Sequence, residues 1–522
     1  MHLRPAIACA SLIAGTLVAL SGTTAQAATT RYEAESSPSV CTGTIDSDWT
    51  GYSGSGFCNG TNASGAYAQF TVNAVSAGTA TLQVRFANGT TAARPADVTV
   101  NGSAAGSASF EATGAWGTWV TKTLTVPVGA GSNTIRFNPT SSAGLPNIDY
   151  VDADVSAAAT GTVLYVSPSG TDGAAGTESA PTTLTSAISH ITSGGTIYLR
   201  GGTYNYSSTV TIPAGSDGTS SARTTLSAYP GETPVLNFSA QSESSSNRGI
   251  QLNASYWHLY GLTVQHAGDN GIYVGGSNNV VERTVTAYNR DTGLQLGRIA
   301  SSTPSSQWPS NNLIVSSESH DNADSDGEDA DGFAAKLTTG TGNVFRYDVS
   351  HHNIDDGWDL YTKTDTGAIG PVTIENSLSY GNGTLSDGTQ NKNGDRNGYK
   401  LGGDDIAVNH VVRHSIAYKN GHHGFTYNSN PGTMAISNNV SVDNAERNFS
   451  FDAGTSVFRT NTSCRFAVSG SNDKTVGDAD SSNQFWTGTN GSRCASYSGA
   501  LGWSFASDGH LVVTFGGSVV TP

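Results

Sequence analysis

Four aspartates and one lysine in the middle of the chain have the types and spacing of a cation site. Asp359 and Lys400 lie in GWDL and GYKL, two of eight short stretches of one shape that begin at residues 249, 271, 293, 332, 357, 398, 424 and 448. Counting the first residue as zero, positions +1 and +3 are apolar, so the +2 side chains between them turn to the opposite face of a strand. The +2 column reads Gln251, Tyr273, Gln295, Ala334, Asp359, Lys400, Thr426 and Ser450. Asp331 and Asp356 stand just before the glycines of consecutive stretches, with Asp355 adjacent. If the stretches stack as neighbouring strands, about 4.8 Å apart, Asp331, Asp355, Asp356 and Asp359 converge on an outward face. Carboxylates that close raise one another's pKa unless a cation lies among them, and hard oxygens suit calcium. An acidic patch neutralised by Lys400 in an ordinary salt bridge is the alternative. A further acidic run, Asp321, Asp324, Asp326, Glu328 and Asp329, is either a second calcium site or a solvated loop, and it lacks the EF-hand pattern.

The elements that position these residues follow from the spacing. Five of the seven steps between stretches are 22 to 26 residues, and the other two look like coils enlarged by inserted loops at roughly 297 to 330 and 381 to 396. That period, rich in β-branched and aromatic residues, points to a right-handed parallel β-helix. LTSAISHI (184–191) is expected to form an amphipathic helix capping its N-terminal end. Asparagine pairs such as Asn278-Asn279, Asn311-Asn312 and Asn438-Asn439 are expected to stack as ladders. Residues 30–155 differ: AYAQFTV, ATLQVRF, ADVTV, WVTKTLTV and NTIRF alternate between Gly, Asn and Ser turns, as in a jelly-roll-like antiparallel β-sandwich. SAAATGT (156–162) reads as a linker, leaving 163–522 for the β-helix. The fold class is all-β.

At 522 residues, with 63 glycines and 13% charged residues, the chain has room for two domains. Residues 1–27 have the basic start, apolar core and Ala-Gln-Ala end of a secretory signal, so an exported, extracellular protein is expected. No later apolar run reaches the roughly 18 residues of a membrane helix, and no membrane partner is expected. Export permits disulfides between Cys41 and Cys58 and between Cys464 and Cys494. Zinc is not expected, because no CxxC or close Cys/His grouping occurs. A formal charge of −16 argues against nucleic acid, though an acidic polysaccharide can still dock through a divalent cation.

Two resemblances sharpen these readings. Tyr32-Glu33-Ala34-Glu35, RFANG (85–89), GAWGTW (114–119) and PNIDYVDADV (146–155) resemble carbohydrate-binding modules of families 35 and 6. The resemblance implies a structural calcium at Glu33, Glu35 and Asp149. It also implies a sugar-facing set at Trp116 and Asn147, with Arg85 and Asn88 nearby. Trp119, within a strand-like run, is expected in the core. ADGFAAK (330–336), DDGWDLYTK (355–363) and NGYKLGG (397–403) look like polysaccharide lyase family 9, the β-helical pectate lyases.

That second likeness implies a catalytic calcium at Asp331, Asp355, Asp356 and Asp359, with Lys400 as the Brønsted base. The reaction implied is β-elimination on polygalacturonate. Lys336, Lys363 and Arg396 are candidates for binding substrate carboxylates or, equally, solvated surface charges. The front module would bind uronate-containing or plant cell-wall glycans, and a monomer is expected. Alternatives left open are a rhamnogalacturonan or other uronan lyase, a noncatalytic sugar-binding protein, and a polygalacturonase-type hydrolase. Asp355-Asp356 and GHHG (421–424) superficially fit the hydrolase.

Overall fold

Alternating apolar residues shape both parts of the chain, but their partners differ. The computed structural model describes residues 29–74, 78–129, 131–157, 162–390, 393–467 and 469–521; the expected leader and most of the expected linker lie outside them. The chain divides into two compact units, residues 1–159 and 160–522.

The front unit is a sandwich of two antiparallel sheets. In one, Gly43–Asp46, Phe57–Gly60, Asn147–Ala157, Gly78–Ala87 and Val120–Val128 lie side by side, with Thr30–Glu33 pairing the middle of Asn147–Ala157. The other orders Val40–Cys41, Ala68–Ala74, Gly131–Pro139, Arg94–Val100 and Ser103–Phe110. Alternation puts Phe70, Leu82, Val84, Val98, Ile135 and Phe137 between the sheets. The Cys41–Cys58 disulfide links the two sheets.

The second unit is a stack of parallel strands in three sheets, of twelve, ten and ten strands among the described residues. Leu184–His190 is the expected helix, capped by the Thr183 hydroxyl, and its Leu184, Ala187 and Ile188 join the solenoid core. The eight recurring stretches supply eight consecutive members of one ten-stranded sheet. There Ala334 pairs opposite Asp359, and Asp359 opposite Lys400.

The +1 column forms a stack of rings beneath these residues. Phe333, Trp358, Tyr399, Phe425 and Phe449 follow one another at centroid separations of 5.0, 4.9, 4.6 and 5.1 Å. The leading glycines are required by close approach: a Cβ on Gly332 or Gly357 would sit 2.0 or 2.2 Å from the hydroxyl of Ser350 or Ser379. One asparagine ladder runs unbroken from Asn289 through Asn322, Asn353, Asn382 and Asn420 to Asn444, each side-chain amide donating to the next at 2.8–3.0 Å. Asn312 donates in the same way to Asn343, and Asn439 to Asn461. Asn278, Asn311 and Asn438 take the left-handed turn conformation ahead of these positions.

The solenoid ends earlier than the expected span of 163–522. Its last parallel strand is Asp478–Ala479; Cys464–Cys494 then ties down a 3-10 segment, and Leu501–Phe505, Leu511–Phe515 and Ser518–Val520 form an antiparallel sheet. Trp503 of that sheet donates to the Tyr380 hydroxyl at 3.1 Å, covering the aromatic flank of the solenoid. Period-2 patterning is common to both strand types, so the sequence pattern did not reveal the switch.

Candidate active site and metal centre

Strand alternation turns Asp359 and Lys400 away from the core, yet neither is solvated. Loops from the enlarged coils cover them, and Lys400 is only 8% exposed. Asp331, Asp355 and Asp356 present carboxylate oxygens all within 4.8 Å of one another, and all three are buried. Asp355 accepts from the Arg396 amide at 3.1 Å and Asp356 from the Asn397 amide at 2.5 Å, so the loop entering the Tyr399–Lys400 strand fixes both. Asp331 accepts from the Thr292 hydroxyl at 3.0 Å. The other oxygen of Asp356, Oδ2, is buried without a hydrogen bond, although Lys400 Nζ lies 3.3 Å away as an ion pair.

Asp359 stands slightly apart from this trio. Its Oδ1 accepts from the Tyr361 amide, while Oδ2 faces Lys336 at 3.4 Å and Lys400 at 3.7 Å. Lys400 Nζ thus touches Asp356, Asp359 and, at 2.8 Å, Asp395. Lys400, Asp359 and Asp395 line a cleft of about 400 Å³ together with Lys336, Tyr361, Lys363 and Asn393.

Burial and mutual repulsion dominate the electrostatics of the cluster. Burial pushes Asp331 up to about 7 in spite of Lys336 beside it. Asp355 and Asp356 are also raised well above the ordinary carboxylate range, chiefly by burial; acidic neighbours add to it, and at Asp356 Lys400 opposes it. For Lys400, burial favours the neutral amine, but Asp359, Asp356, Asp355 and Asp395 outweigh it and raise its pKa. Three buried carboxylates with an orphaned oxygen among them fit a hard divalent ion.

Residues 164–461 match the family described as "Pel9A-like, right handed beta helix region". The chain belongs to the Pel9A-like family. Pectate lyase L of Paenibacillus polymyxa (strain SC2) is 57% identical over 344 residues, 65% of this chain and 76% of that protein. Pectate disaccharide-lyase of Dickeya chrysanthemi is 37% identical over 329 residues, 62% of this chain and 40% of that protein. The crystal structure of pectate lyase Pel9A superposes with a TM-score of 0.54 at 30% identity, covering 63% of this chain and 81% of that one. Residues 33–154 match carbohydrate binding module family 6.

Within the Pel9A-like β-helix, the expected site residues have different fates. Lys363 is exposed at the cleft edge. Lys336 is not a solvated charge: it is 7% exposed and binds Asp331 at 2.7 Å. Its pKa is raised because Asp331, Asp359 and Asp291 outweigh burial. Arg396 has a buried, unpartnered Nε and serves the site through its backbone amide. In the acidic run 321–329 only Asp324 and Asp326 meet side chain to side chain. Asp321 is held by His320 and the Ser386 amide, and no three of the run's carboxylates lie close enough together to share one ion.

Two features escaped the sequence. Asp395 reaches Lys400 from an inserted loop, outside the column pattern. A second cleft of about 290 Å³, lined by Arg248, Tyr273 and Arg298, shares Leu337 with the first. Only the +2 placement of Tyr273 hinted at it.

In the front unit, Glu33 accepts from the Ser53 hydroxyl, Glu35 from the Ser55 amide and Asp149 from the Ser53 amide, so the three surround one turn. Buried, unpartnered oxygens on Glu33 and Glu35 fit a cation there. Burial pushes Asp149 up to about 6 although Arg85 lies 3.3 Å away. Arg85 also donates to the Gly51 carbonyl, so it braces this turn.

Trp116 is half-buried against Gly89, where any Cβ would meet the indole at 2.5 Å. Asn147 is buried, one pair from Asn88 across the sheet. Asn88 does not face a sugar: it is fully buried, its amide donating to the Ala92 and Phe110 carbonyls. Trp119 is only partly covered, edge-on to Phe57 at 5.2 Å with its N–H on the Thr50 carbonyl. A concavity of about 410 Å³ on this unit lies elsewhere, on the other sheet between Gln69, Asp97 and Arg136.

Proposed function

We propose that this chain is a secreted, calcium-dependent pectate lyase that cleaves 1,4-linked galacturonan by β-elimination and leaves 4,5-unsaturated oligogalacturonides. The observation that carries the reading is Lys400 Nζ lying 3.3 Å from Asp356, between a buried three-carboxylate cluster and the cleft that Lys400 and Asp359 line. The relatives named above support it.

Asp331, Asp355 and Asp356 would hold the calcium, with Asp359 completing the set. When bound, the ion neutralises the uronate carboxylate, acidifies the C5 proton and stabilises the negative charge that develops on its loss. Lys400 accepts that proton at Nζ, which requires the neutral amine. The C5 electron pair becomes the C4–C5 double bond as the C4–O4 bond breaks, and the departing oxygen takes a proton from water in the cleft. While the surrounding carboxylates are bare, Lys400 keeps its own proton; once their charge is neutralised, burial favours the form that can act as base. Lys336 balances Asp331 and Asp359 and keeps the latter's oxygen aimed at Lys400. Lys363 and Arg298 offer cations to further uronate carboxylates along the groove, whereas Arg248 beside them is paired with Asp269.

The test is the ultraviolet absorbance of the conjugated double bond on polygalacturonate, methylated pectin and rhamnogalacturonan, each with calcium or with excess chelator. Calcium-restored absorbance on polygalacturonate, lost completely with chelator, is the expected result. New reducing ends without absorbance would establish hydrolysis, and full activity in chelator would refute the mechanism. For the front unit, the same reading is uronate or cell-wall glycan binding through Trp116 and Asn147 over a structural calcium at Glu33, Glu35 and Asp149.

A further inference from the structure

The GHHG turn lies one coil beyond Lys400 and plays no part in the chemistry above. His422 and His423 precede the Phe425–Thr426 strand, and Glu446 precedes Phe449–Phe451 in the next coil. The backbone registers them, the Glu446 amide donating to the His422 carbonyl at 2.9 Å. Potential ligand atoms of His422, His423 and Glu446 all lie within 4.8 Å of one another. The two imidazoles stack at 3.9 Å with 21° between their planes.

Two observations go beyond this proximity. His423 is 9% exposed, and its Nδ1 is buried with no hydrogen-bond partner. His422 meets an acceptor on each side: Nδ1 faces the Asp395 carbonyl at 3.2 Å and Nε2 faces Glu446 Oε2 at 2.9 Å. A ring whose Nδ1–H is fixed on a backbone carbonyl presents Nε2 as a lone pair, the arrangement of a metal-ligating histidine. A cation that displaces the proton shared at this contact would be ligated by Nε2 and the carboxylate together.

We propose that His422, His423 and Glu446 form a second metal site, distinct from the aspartate cluster, for a borderline divalent transition ion of the zinc or copper class. The nitrogen donors set the selectivity. Two imidazoles and one carboxylate, the latter also paired with Arg447, favour such an ion over calcium, which seeks several oxygens. Three protein ligands leave a fourth position open to water. The sequence offered only two adjacent histidines; the third ligand arrives by stacking of the next coil.

The experiment uses the tag-free full-length protein saturated with calcium. Zinc is titrated calorimetrically, and copper is examined by electron paramagnetic resonance. One zinc per chain is expected, with nitrogen hyperfine structure on copper. His423→Ala, His422→Gln and Glu446→Gln, each checked for folding by circular dichroism, should weaken zinc binding tenfold or more. Asp356→Asn should leave it within twofold. Zinc binding that survives all three substitutions, that disappears with Asp356→Asn, or that shows no nitrogen coupling would overturn the proposal. So would the absence of binding.

Discussion

Replacing Lys400 by alanine removes the amine that touches Asp356, Asp359 and Asp395 while leaving the Asp331–Asp355–Asp356 trio in place. Turnover is expected to fall by about 10²–10⁴-fold, the usual weight of a general base. Calcium affinity, measured by calorimetry, should be nearly intact. A variant that keeps substantial rate would move the base elsewhere, with Lys336 the next amine in reach of Asp359. The pH dependence has a definite sign. Bare carboxylates raise Lys400 above the ordinary lysine range, so alkaline pH alone should not rescue the calcium-free enzyme. With calcium, the fall in that attraction should bring the acidic limb of the rate profile to lower pH, giving a neutral-to-alkaline optimum. A calcium-free protein that becomes active on raising pH would contradict this coupling.

At the level of elements, the site is only as precise as the stacking of its coils. Asn353 sits in the middle of the long ladder, accepting from Asn322 and donating to Asn382, with every partner buried. Asn353→Ala leaves buried amide groups unpaired and should lower stability by about 3 kcal/mol, read as a drop in Tm. Turnover below the melting range should be largely retained. The groove makes a separate prediction. Tyr273 is three strand steps from Asp359, through Gln295 and Ala334, or about 14 Å at the usual strand spacing. Arg298→Ala should therefore raise KM for long oligogalacturonides about tenfold, the weight of one charge-assisted hydrogen bond. It should leave kcat and short substrates little changed; an equal loss on all lengths would place Arg298 outside the groove's function.

For the whole molecule, the two units have separate hydrophobic cores, one between the sandwich sheets and one inside the solenoid. Residues 160–522 alone should therefore fold and turn over soluble polygalacturonate at close to the full-length rate. On insoluble cell-wall material the full chain should gain through the local concentration that a linked binding unit provides. Equal rates of both forms on insoluble substrate would show that the front unit does not target the enzyme.

Local repetition made much of this legible in the sequence. The period-2 columns, the coil spacing, the asparagine ladders and the cysteine pairs are properties of near neighbours or of one repeated register, so Asp359 and Lys400 had to become adjacent once the coils stacked. Asp331, Asp355 and Asp356 followed from the same register. What only the tertiary structure decided depends on how irregular segments fold back. Loop cover buries a face that alternation merely turned outward, and an inserted loop brings Asp395 to Lys400. Lys336 is drawn into the carboxylates, and Asn88 is taken up by backbone carbonyls. No periodicity encodes these contacts, because each is set by the path of a single loop or by a side chain finding the nearest opposite charge.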